Sequence, residues 1–247
     1  MTDDAMDLLN NEPIARKKLV IVYIIDTSGS MSGDKIGTVN AVMEEVLPEI
    51  RGIGGSDSDI SVAVMTFDPE VWWMYDAPRP IEEIKWTELK TAGWTDFGRA
   101  MGELNSKLSR NGYMGTASLS FAPVLFLMSD GCPNDGYEAN LAKIKGNKWF
   151  KHALKIAVAI GSDANREVLA EFTGNVETVV EANNGPALAR LIRMLTITSS
   201  QIGSRSSTME SDGPLTPEQA DAAKEAELVQ VIQNAVRPED IDFDDGW

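Results

Sequence analysis

Three oxygen-bearing side chains lie within five residues of one another, directly after an apolar run that begins at Leu19: Asp26, Ser28 and Ser30. A β-branched run that stops at an acid predicts a buried strand ending in a loop. One carboxylate and two hydroxyls are hard oxygen ligands of modest total charge, which favour Mg²⁺ or Mn²⁺ over zinc or copper. Gly29 would let the backbone turn tightly enough for the serine oxygens to converge. In isolation, the same residues would suit equally a turn that caps the next helix.

Two later stretches add oxygen ligands at positions that a parallel sheet would bring to the same place. Thr95 precedes a helical pattern over 97–108, and Asp130 follows a second apolar strand. The carboxyl ends of parallel strands meet at one edge of a sheet, where α/β proteins build their sites. We therefore expect Asp26, Thr95 and Asp130 to lie at that edge.

Strands and helices alternate along most of the chain. The spacing of apolar residues predicts strands over 19–25, 60–67, 71–75, 122–128, 153–160 and 176–180. It predicts helices over 34–51, 97–108, 136–150, 165–172 and 185–197. The short connection at 68–70 favours a hairpin, so one edge strand is predicted to be antiparallel. The whole pattern indicates a doubly wound, mostly parallel α/β sheet with helices on both faces.

By composition the chain divides into an acidic leader, a domain, a flexible linker, an amphipathic helix and an acidic, aromatic tail: 1–18, 19–202, 203–215, 216–236 and 237–247. The helix is predicted to start at a capping box, with Thr216 as the cap and Pro217 at the first helical position. The tail interleaves acids with apolar residues.

Composition also bounds the partners and the compartment. A formal net charge of −16 and a pI of about 4.4 argue against binding to nucleic acids or to anionic membranes. The start of the chain is acidic where a secretory signal would be basic, and no apolar stretch approaches the roughly 20 residues of a membrane span. With a single cysteine, Cys132, no disulfide can form within the chain. From these features we expect a cytoplasmic protein.

The sequence Asp26, Ser28 and Ser30, followed in order by Thr95 and Asp130, resembles the metal-ion-dependent adhesion site of the von Willebrand factor A family. The resemblance implies a Rossmann-like fold. It also implies that Ser28, Ser30 and Thr95 bind Mg²⁺ or Mn²⁺ directly, while the two aspartates act through water and hydrogen bonds. One coordination position would stay open for an acidic side chain of a protein partner.

The resemblance extends over about residues 19–198 and suggests a particular branch. Asp-Gly-x-Pro-x-Asp at 130–135 resembles the TerY-like bacterial branch associated with tellurium-resistance operons, which implies a scaffold beside kinase and phosphatase partners. An alternative from the same family is a partner of an AAA+ ATPase of the MoxR or chelatase type. Both interpretations predict a non-enzymatic interaction module.

Four tryptophans crowd into 23 residues. Trp94 stands beside Thr95, where members of the resembled family commonly carry a small residue. Tryptophan is enriched at binding hot spots, so Trp94 suits an interface anchor as well as a core position. The other three are interpreted as core residues: Trp72, Trp73 and Trp86.

Three more residues are candidate partner contacts. Asp135, in the TerY-like motif, is either a contact or a helix cap. Phe243 and Trp247 would anchor the tail. The tail either completes the metal coordination of its own or a neighbouring chain, or acts as a docking peptide or a solubilising segment.

An enzymatic role is disfavoured because the sequence lacks the residues and motifs that catalysis at this site would need. The single histidine, His152, is predicted at the opposite edge of the sheet, and no P-loop motif occurs. The strongest enzymatic alternative is a phosphoryl-transfer or receiver-like domain that uses Asp26 as nucleophile, assisted by Thr95 and Asp130. Against it, Ser28 stands where a dehalogenase-type enzyme would carry its second acid, and no lysine is predicted at the carboxyl end of a strand.

Overall fold

A central sheet of seven strands organises the protein, which is described here by a computed structural model over residues 16–51, 58–115, 120–182, 184–204 and 216–235. The strands are β1 Lys17–Asp26, β2 Ser58–Phe67, β3 Val71–Trp73, β4 Arg79–Pro80, β5 Val124–Ser129, β6 Leu154–Ile160 and β7 Val179–Ala182. Their order across the sheet is β3-β2-β1-β5-β6-β7, and β4 also pairs with β2.

Strand β1 lies in the middle because it is apolar on both faces, with every position from Leu19 onward buried. Strands β2 and β5 pair with it in parallel, one on each side, and β6 and β7 continue the parallel part. The strand order therefore reverses beside β1. In open parallel sheets, ligands bind at the carboxyl ends of the strands at such a reversal, so the fold places its candidate site where β1 and β5 end.

Helices cover both faces of the sheet: α1 Asp34–Glu49, α2 Phe97–Lys107, α3 Glu138–Lys145, α4 Lys148–His152, α5 Arg166–Thr173, α6 Gly185–Ser204 and α7 Pro217–Ala235. Alternate side chains of β1 divide between two cores. Ile21 and Tyr23 pack in the cluster that holds α1 and α6, whereas Val22 and Ile24 pack in the cluster that holds α2, α3 and α5. The predicted doubly wound α/β fold is confirmed.

The antiparallel edge is also confirmed, but it consists of two short strands, β3 and β4, where one strand over 71–75 was predicted. Strand β3 pairs with the end of β2 through a tight hairpin, with Phe67 opposite Val71. Strand β4 pairs with an earlier part of the same strand, with Val62 opposite Arg79. Strand β4 was not among the predicted strands, and it contains Pro80. Proline is tolerated there because an edge strand does not need every backbone N–H for pairing.

The helix predicted up to residue 150 is instead two helices, α3 and α4. The break falls at Asn147, whose side-chain oxygen accepts a hydrogen bond from Trp149 N at 2.8 Å and so caps α4. Its side-chain nitrogen donates to Leu108 O at 2.9 Å, which ties the break to the end of α2. The boundary therefore coincides with polar contacts of Asn147, which the spacing of apolar residues does not predict.

Two further boundaries differ from the prediction. Helix α6 continues past residue 197 because its last turns still pack on the sheet, where Ile202 is buried and a Cβ at Gly203 would lie 3.3 Å from Leu19 Cδ1. The strand predicted over 176–180 begins later, after a 3-10 turn in which the Glu177 backbone N–H donates to Asn175 Oδ1 at 2.9 Å. Contacts outside the local sequence pattern therefore make α6 longer than predicted and make β7 start later than predicted.

The C-terminal helix α7 packs against α6 at the edge of the sheet where the strands begin. Its Leu228 and Ile232 are buried in the core. His152, which directly precedes β6, is paired with Asp221 of α7. The helix is therefore part of the packed domain, on the side opposite to the carboxyl ends of the strands.

Several predicted segments lie outside the described residues: the leader up to residue 15, the linker 205–215 and the tail from residue 236. No helix in the part of the chain that the structure describes is long and apolar enough to cross a lipid bilayer.

The packing of α7 gives a first testable prediction. Leu228→Ala should weaken the docking of the helix by about 2–5 kcal/mol, because it removes a fully buried side chain of α7 from the core beside α6. Amide hydrogen exchange over 217–235 should speed up, while exchange in β1 stays slow. Gln230→Ala, at an exposed position of the same helix, is the matched control. Equal protection in the two variants would show that α7 is held without Leu228.

Candidate functional site

The loop after β1 holds three of the predicted ligands in one place. Asp26 is fully buried at the end of β1, and its Oδ1 accepts a hydrogen bond from the Ser28 backbone N–H at 2.9 Å. The hydroxyl oxygens of Ser28 and Ser30 lie 3.1 Å apart. Ser28 is buried whereas Ser30 is exposed, so one hydroxyl of the pair lies in the interior and the other at the surface.

Close main-chain packing fixes this turn. The Gly29 N–H donates to Gly93 O at 2.9 Å, and a Cβ at position 29 would lie 2.9 Å from the same oxygen. Real Cβ atoms do not approach other atoms so closely, so a side chain there would push the two loops apart. Met31 is buried at the end of the 3-10 turn that follows, which anchors the other side of the loop.

Thr95 is held between the loops that follow β1 and β5. On one side, Ala92 N donates to Thr27 O at 2.8 Å, which joins the 92–96 segment to the first loop. On the other, Thr95 exchanges two hydrogen bonds with Asn134: its N–H donates to Asn134 Oδ1 at 2.9 Å, and its carbonyl accepts from Asn134 N at 3.0 Å. The buried Thr95 is thus positioned by its backbone.

Asp130 is buried where β5 ends. Its Oδ1 accepts a hydrogen bond from Cys132 N at 3.3 Å, and its backbone carbonyl accepts from Asn165 N at 2.7 Å. Gly131 adopts a φ of 68°, and a Cβ there would lie 2.4 Å from Asn165 O. Glycine is required at that position because both the left-handed backbone and the close approach exclude a side chain.

A hydrogen bond between the two strand ends connects Asp26 to the Asp130 loop. Ser129 Oγ donates to Asp26 Oδ2 at 2.6 Å and accepts from Gly131 N at 2.9 Å. Burial raises the pKa of Asp26, against the lowering effect of the hydrogen bonds from Ser129 and Ser28. A divalent cation bound in the loop would act in the opposite direction to burial and favour the charged form of this carboxylate.

This donor set fits a hard divalent cation. Hydroxyl and carboxylate oxygens are the ligands that Mg²⁺ and Mn²⁺ prefer. Across the described part of the chain, no group of three or more His, Cys, Asp and Glu side chains is arranged to hold a metal ion. A cation at this edge of the sheet would therefore depend on the hydroxyls of Ser28, Ser30 and Thr95.

Lys35, in the first turn of α1, belongs to the site although the sequence reasoning missed it. Its Nζ lies 3.2 Å from Asp130 Oδ2 and 2.8 Å from Asp163 Oδ1. Partial burial acts to lower the pKa of Lys35, but the hydrogen bonds to Asp163 and Asp130 outweigh it, so this pKa lies above its usual value. The sequence prediction concerned lysines at the carboxyl ends of strands, whereas Lys35 reaches the site from helix α1. Its place just after the Asp26–Ser30 loop was the available signal.

The tryptophans divide differently from the prediction. Trp94 is 60% exposed next to Thr95, at the rim of the site. Trp72, predicted as core, is 65% exposed because the short strand β3 forms the edge of the sheet, with nothing in the described residues covering that face. Trp73 and Trp86 are half-buried, and their ring N–H groups donate to Glu103 and Asn40.

Asp135 lies at the start of α2 rather than capping the helix that follows it in sequence. Its Oδ1 accepts from Phe97 N at 3.0 Å, and its Oδ2 accepts from Gly98 N at 2.7 Å. Both carboxylate oxygens are thus used within the chain. Phe243 and Trp247, the other predicted partner contacts, lie outside the described residues.

The sequence and the fold are similar to those of known proteins. The family profile of the von Willebrand factor type A domain matches residues 21–193. Among curated proteins, inter-alpha-trypsin inhibitor heavy chain H2 of Mus musculus is 28% identical over 179 residues, or 66% of this chain. The chain spans only 17% of the length of that protein.

Solved structures show the same fold at low sequence identity. The von Willebrand factor type A protein from Catenulispora acidiphila matches with a TM-score of 0.55 and 18% identity, covering 74% of this chain and 43% of that one. Proximal thread matrix protein 1 from the mussel byssus matches with a TM-score of 0.54 and 18% identity, covering 75% and 49%. Since the family profile covers more than half of the sequence, this chain belongs to the von Willebrand factor type A domain family.

Proposed function

We propose that this chain is a metal-dependent protein interaction module that captures an acidic group of a protein partner. Ser28, Ser30 and Thr95 would hold Mg²⁺ or Mn²⁺, with Asp26 and Asp130 acting through water and hydrogen bonds. The observation that carries the proposal is the network at the carboxyl ends of β1 and β5. There, groups far apart in sequence are linked by the Ser129–Asp26 hydrogen bond and by the backbone contacts around Thr95.

Domains of this family generally mediate protein–protein interaction and are generally not enzymes. The donor set suits that role, because a cation held largely by neutral hydroxyls stays electron-poor and attracts a further carboxylate. Ser30, exposed at the mouth of the loop, leaves that side of the site open to another molecule.

The phosphoryl-transfer alternative has less support. Asp26 is fully buried, and each of its carboxylate oxygens accepts a hydrogen bond, from Ser28 N and from Ser129 Oγ. A nucleophilic carboxylate needs one oxygen directed at an incoming phosphoryl group. This arrangement therefore favours Asp26 as a support for the loop.

Trp94 is the best-placed partner contact. Its indole is mostly exposed and adjoins Thr95 in sequence, so a protein that places an acid on the metal would also meet this ring. Tryptophan buries a large apolar area on binding and anchors many interfaces. We include the exposed Trp72 in the same interaction surface, on the hairpin whose turn contacts the 93–96 segment through the Asp96 N–H to Asp68 O hydrogen bond.

The tail offers an acidic group within the same chain. Helix α7 ends near the start of β7, where Gln233 contacts Glu177, and residues 236–247 follow. Extended, these twelve residues would span about 40 Å, whereas the seven-residue β6 is about 23 Å long. The tail is thus long enough to bring its acids to its own metal site or to that of a neighbouring chain, with Phe243 and Trp247 as anchors.

We further propose that the partner system is of the TerY-like kind, with a kinase or phosphatase beside the module. The Asp-Gly-x-Pro-x-Asp sequence at 130–135 supports this assignment. A MoxR or chelatase-type AAA+ ATPase is the alternative partner. Identifying which of these enzymes co-purifies with the full chain in Mg²⁺ would separate the two systems.

Metal binding itself is tested by calorimetric titration of the full chain with Mg²⁺ and Mn²⁺. Ser28→Ala should weaken binding by about tenfold or more, because it removes a proposed direct ligand at the centre of the loop. Ser32→Ala is the matched control, since this exposed serine lies just outside the motif. An unchanged affinity in Ser28→Ala would contradict the proposed site.

Trp94→Ala gives a complementary prediction. The exposed indole makes no part of the proposed coordination, so Mg²⁺ affinity in the same titration should stay at the value of the unaltered chain. A loss of metal affinity as large as that of Ser28→Ala would instead place Trp94 among the residues that shape the loop, and would remove it from the interaction surface.

Asp135→Ala separates structural support from partner contact. Because Asp135 accepts two backbone hydrogen bonds at the start of α2, its loss should reduce the free energy of unfolding by about 1–2 kcal/mol in a urea titration. Glu138→Ala, at an exposed position nearby, should leave the stability unchanged. A fully stable Asp135→Ala variant would argue that the carboxylate is available to a partner.

A further inference from the structure

We propose that Lys35 is a built-in competitor of the metal ion: its ammonium group neutralises Asp130 in the metal-free protein and transfers to Asp163 when a divalent cation binds. The pair of Lys35 and Asp163 would then set the metal affinity of the site. This inference rests on the proposed function, because it assigns a control element to the same metal site.

The contacts of Lys35 place it between two carboxylates of very different exposure. Its Nζ lies 3.2 Å from Asp130 Oδ2, in a side chain that is 1% exposed, and 2.8 Å from Asp163 Oδ1, in a side chain that is 70% exposed. The buried partner belongs to the proposed metal site, and the exposed partner lies outside it. A short movement of the ammonium group would therefore release Asp130 while keeping the contact with Asp163.

The backbone makes room for this lysine. Gly161, at the end of β6, adopts a φ of 92°, and a Cβ there would lie 2.6 Å from Lys35 Cε and 2.8 Å from Asp163 Oδ1. Any other residue would be strained by this φ, and its Cβ would require the end of the Lys35 side chain to shift. The 161–165 loop also holds Asp130 directly, since Asn165 N donates to the Asp130 carbonyl at 2.7 Å. The lysine is thus enclosed by the loop that positions its buried partner.

The positive charge of Lys35 would affect how tightly a divalent cation binds beside Asp130. A buried carboxylate is unfavourable without a compensating positive charge, and Lys35 supplies that charge to Asp130 when no metal is present. A divalent cation beside Asp130 would face the same ammonium at short range and be repelled by it. Asp163 relieves that conflict because it already contacts Lys35 and lies on the solvent side.

A simpler role is also conceivable for Lys35: a fixed ion-pair bridge that ties α1 to the 161–165 loop. In that case Lys35 would stabilise the fold, and its removal would change metal affinity no more than the loss of any other positive charge. The two roles differ in how the effects of Lys35 and Asp163 combine, which a double-mutant cycle measures.

The experiment is a Mg²⁺ titration by calorimetry on four full-length chains: unaltered, Lys35→Met, Asp163→Asn and the double variant. Lys35→Met should bind Mg²⁺ about tenfold more tightly, because it removes a charge-assisted contact that competes for Asp130. Lys145→Met, which removes an exposed charge at the end of α3, is the control and should bind as the unaltered chain does.

Asp163→Asn should weaken binding about fivefold in the unaltered background, since Lys35 then has only Asp130 as a charged partner. In the Lys35→Met background the same substitution should have no effect. Equal weakening in both backgrounds would mean that Asp163 acts on the metal only as a distant negative charge. That result, or an unchanged affinity in Lys35→Met, overturns the proposal.

Thermal unfolding in EDTA gives a readout that does not involve the metal. Lys35→Met should lower the melting temperature there, because Asp130 loses its compensating charge, whereas Lys145→Met should not. If Mg²⁺ binds neither the unaltered chain nor Lys35→Met, the proposed function fails and the competitor role fails with it, even if the EDTA result holds. If Mg²⁺ binds normally and Lys35→Met leaves both affinity and melting temperature unchanged, only the competitor role fails.

Discussion

The hydrogen bond from Ser129 Oγ to Asp26 Oδ2 holds the candidate site together. It joins the ends of β1 and β5, the two central strands between which the sheet reverses its order, and it does so with a carboxylate that is completely buried. Because the other oxygen of Asp26 orders the Ser28 backbone, one side chain positions both the hydroxyl loop and the Asp130 loop. The remaining elements keep these two strand ends in register and shield Asp26, Ser129 and Asp130 from solvent.

Much of this arrangement could be predicted from the sequence. The buried central strand, the alternation of helices and strands and the hairpin edge all follow from apolar periodicity and connection length. The placement of Asp26 and Asp130 follows as well, because parallel strands end at one edge, and Ser28 and Ser30 follow Asp26 in the same loop. The local sequence pattern was enough for the prediction wherever the position of a residue depended only on the strand, helix or loop that contains it.

The sequence was less informative where a role depends on contacts between distant segments. Lys35 reaches Asp130 across the fold and passes close to Gly161 of the loop after β6, and nothing in the local pattern of α1 reveals these contacts. Similarly, the break between α3 and α4 depends on contacts of Asn147 with the end of α2, and Trp72 is exposed on β3, the edge strand of the sheet in the described part of the chain. These features arise from packing geometry that periodicity does not encode.

The contact between the 29 and 93 positions separates what must stay constant from what is free to vary. Gly29 lies against the carbonyl of Gly93, and a Cβ at Gly93 would lie 2.5 Å from Pro69 Cγ, so the backbone here tolerates almost no change. The next side chain, Trp94, points away from this stack into solvent. Related proteins could therefore diverge in the molecules they recognise by changing this one outward position, while the Asp26–Ser30 loop beside it stays the same.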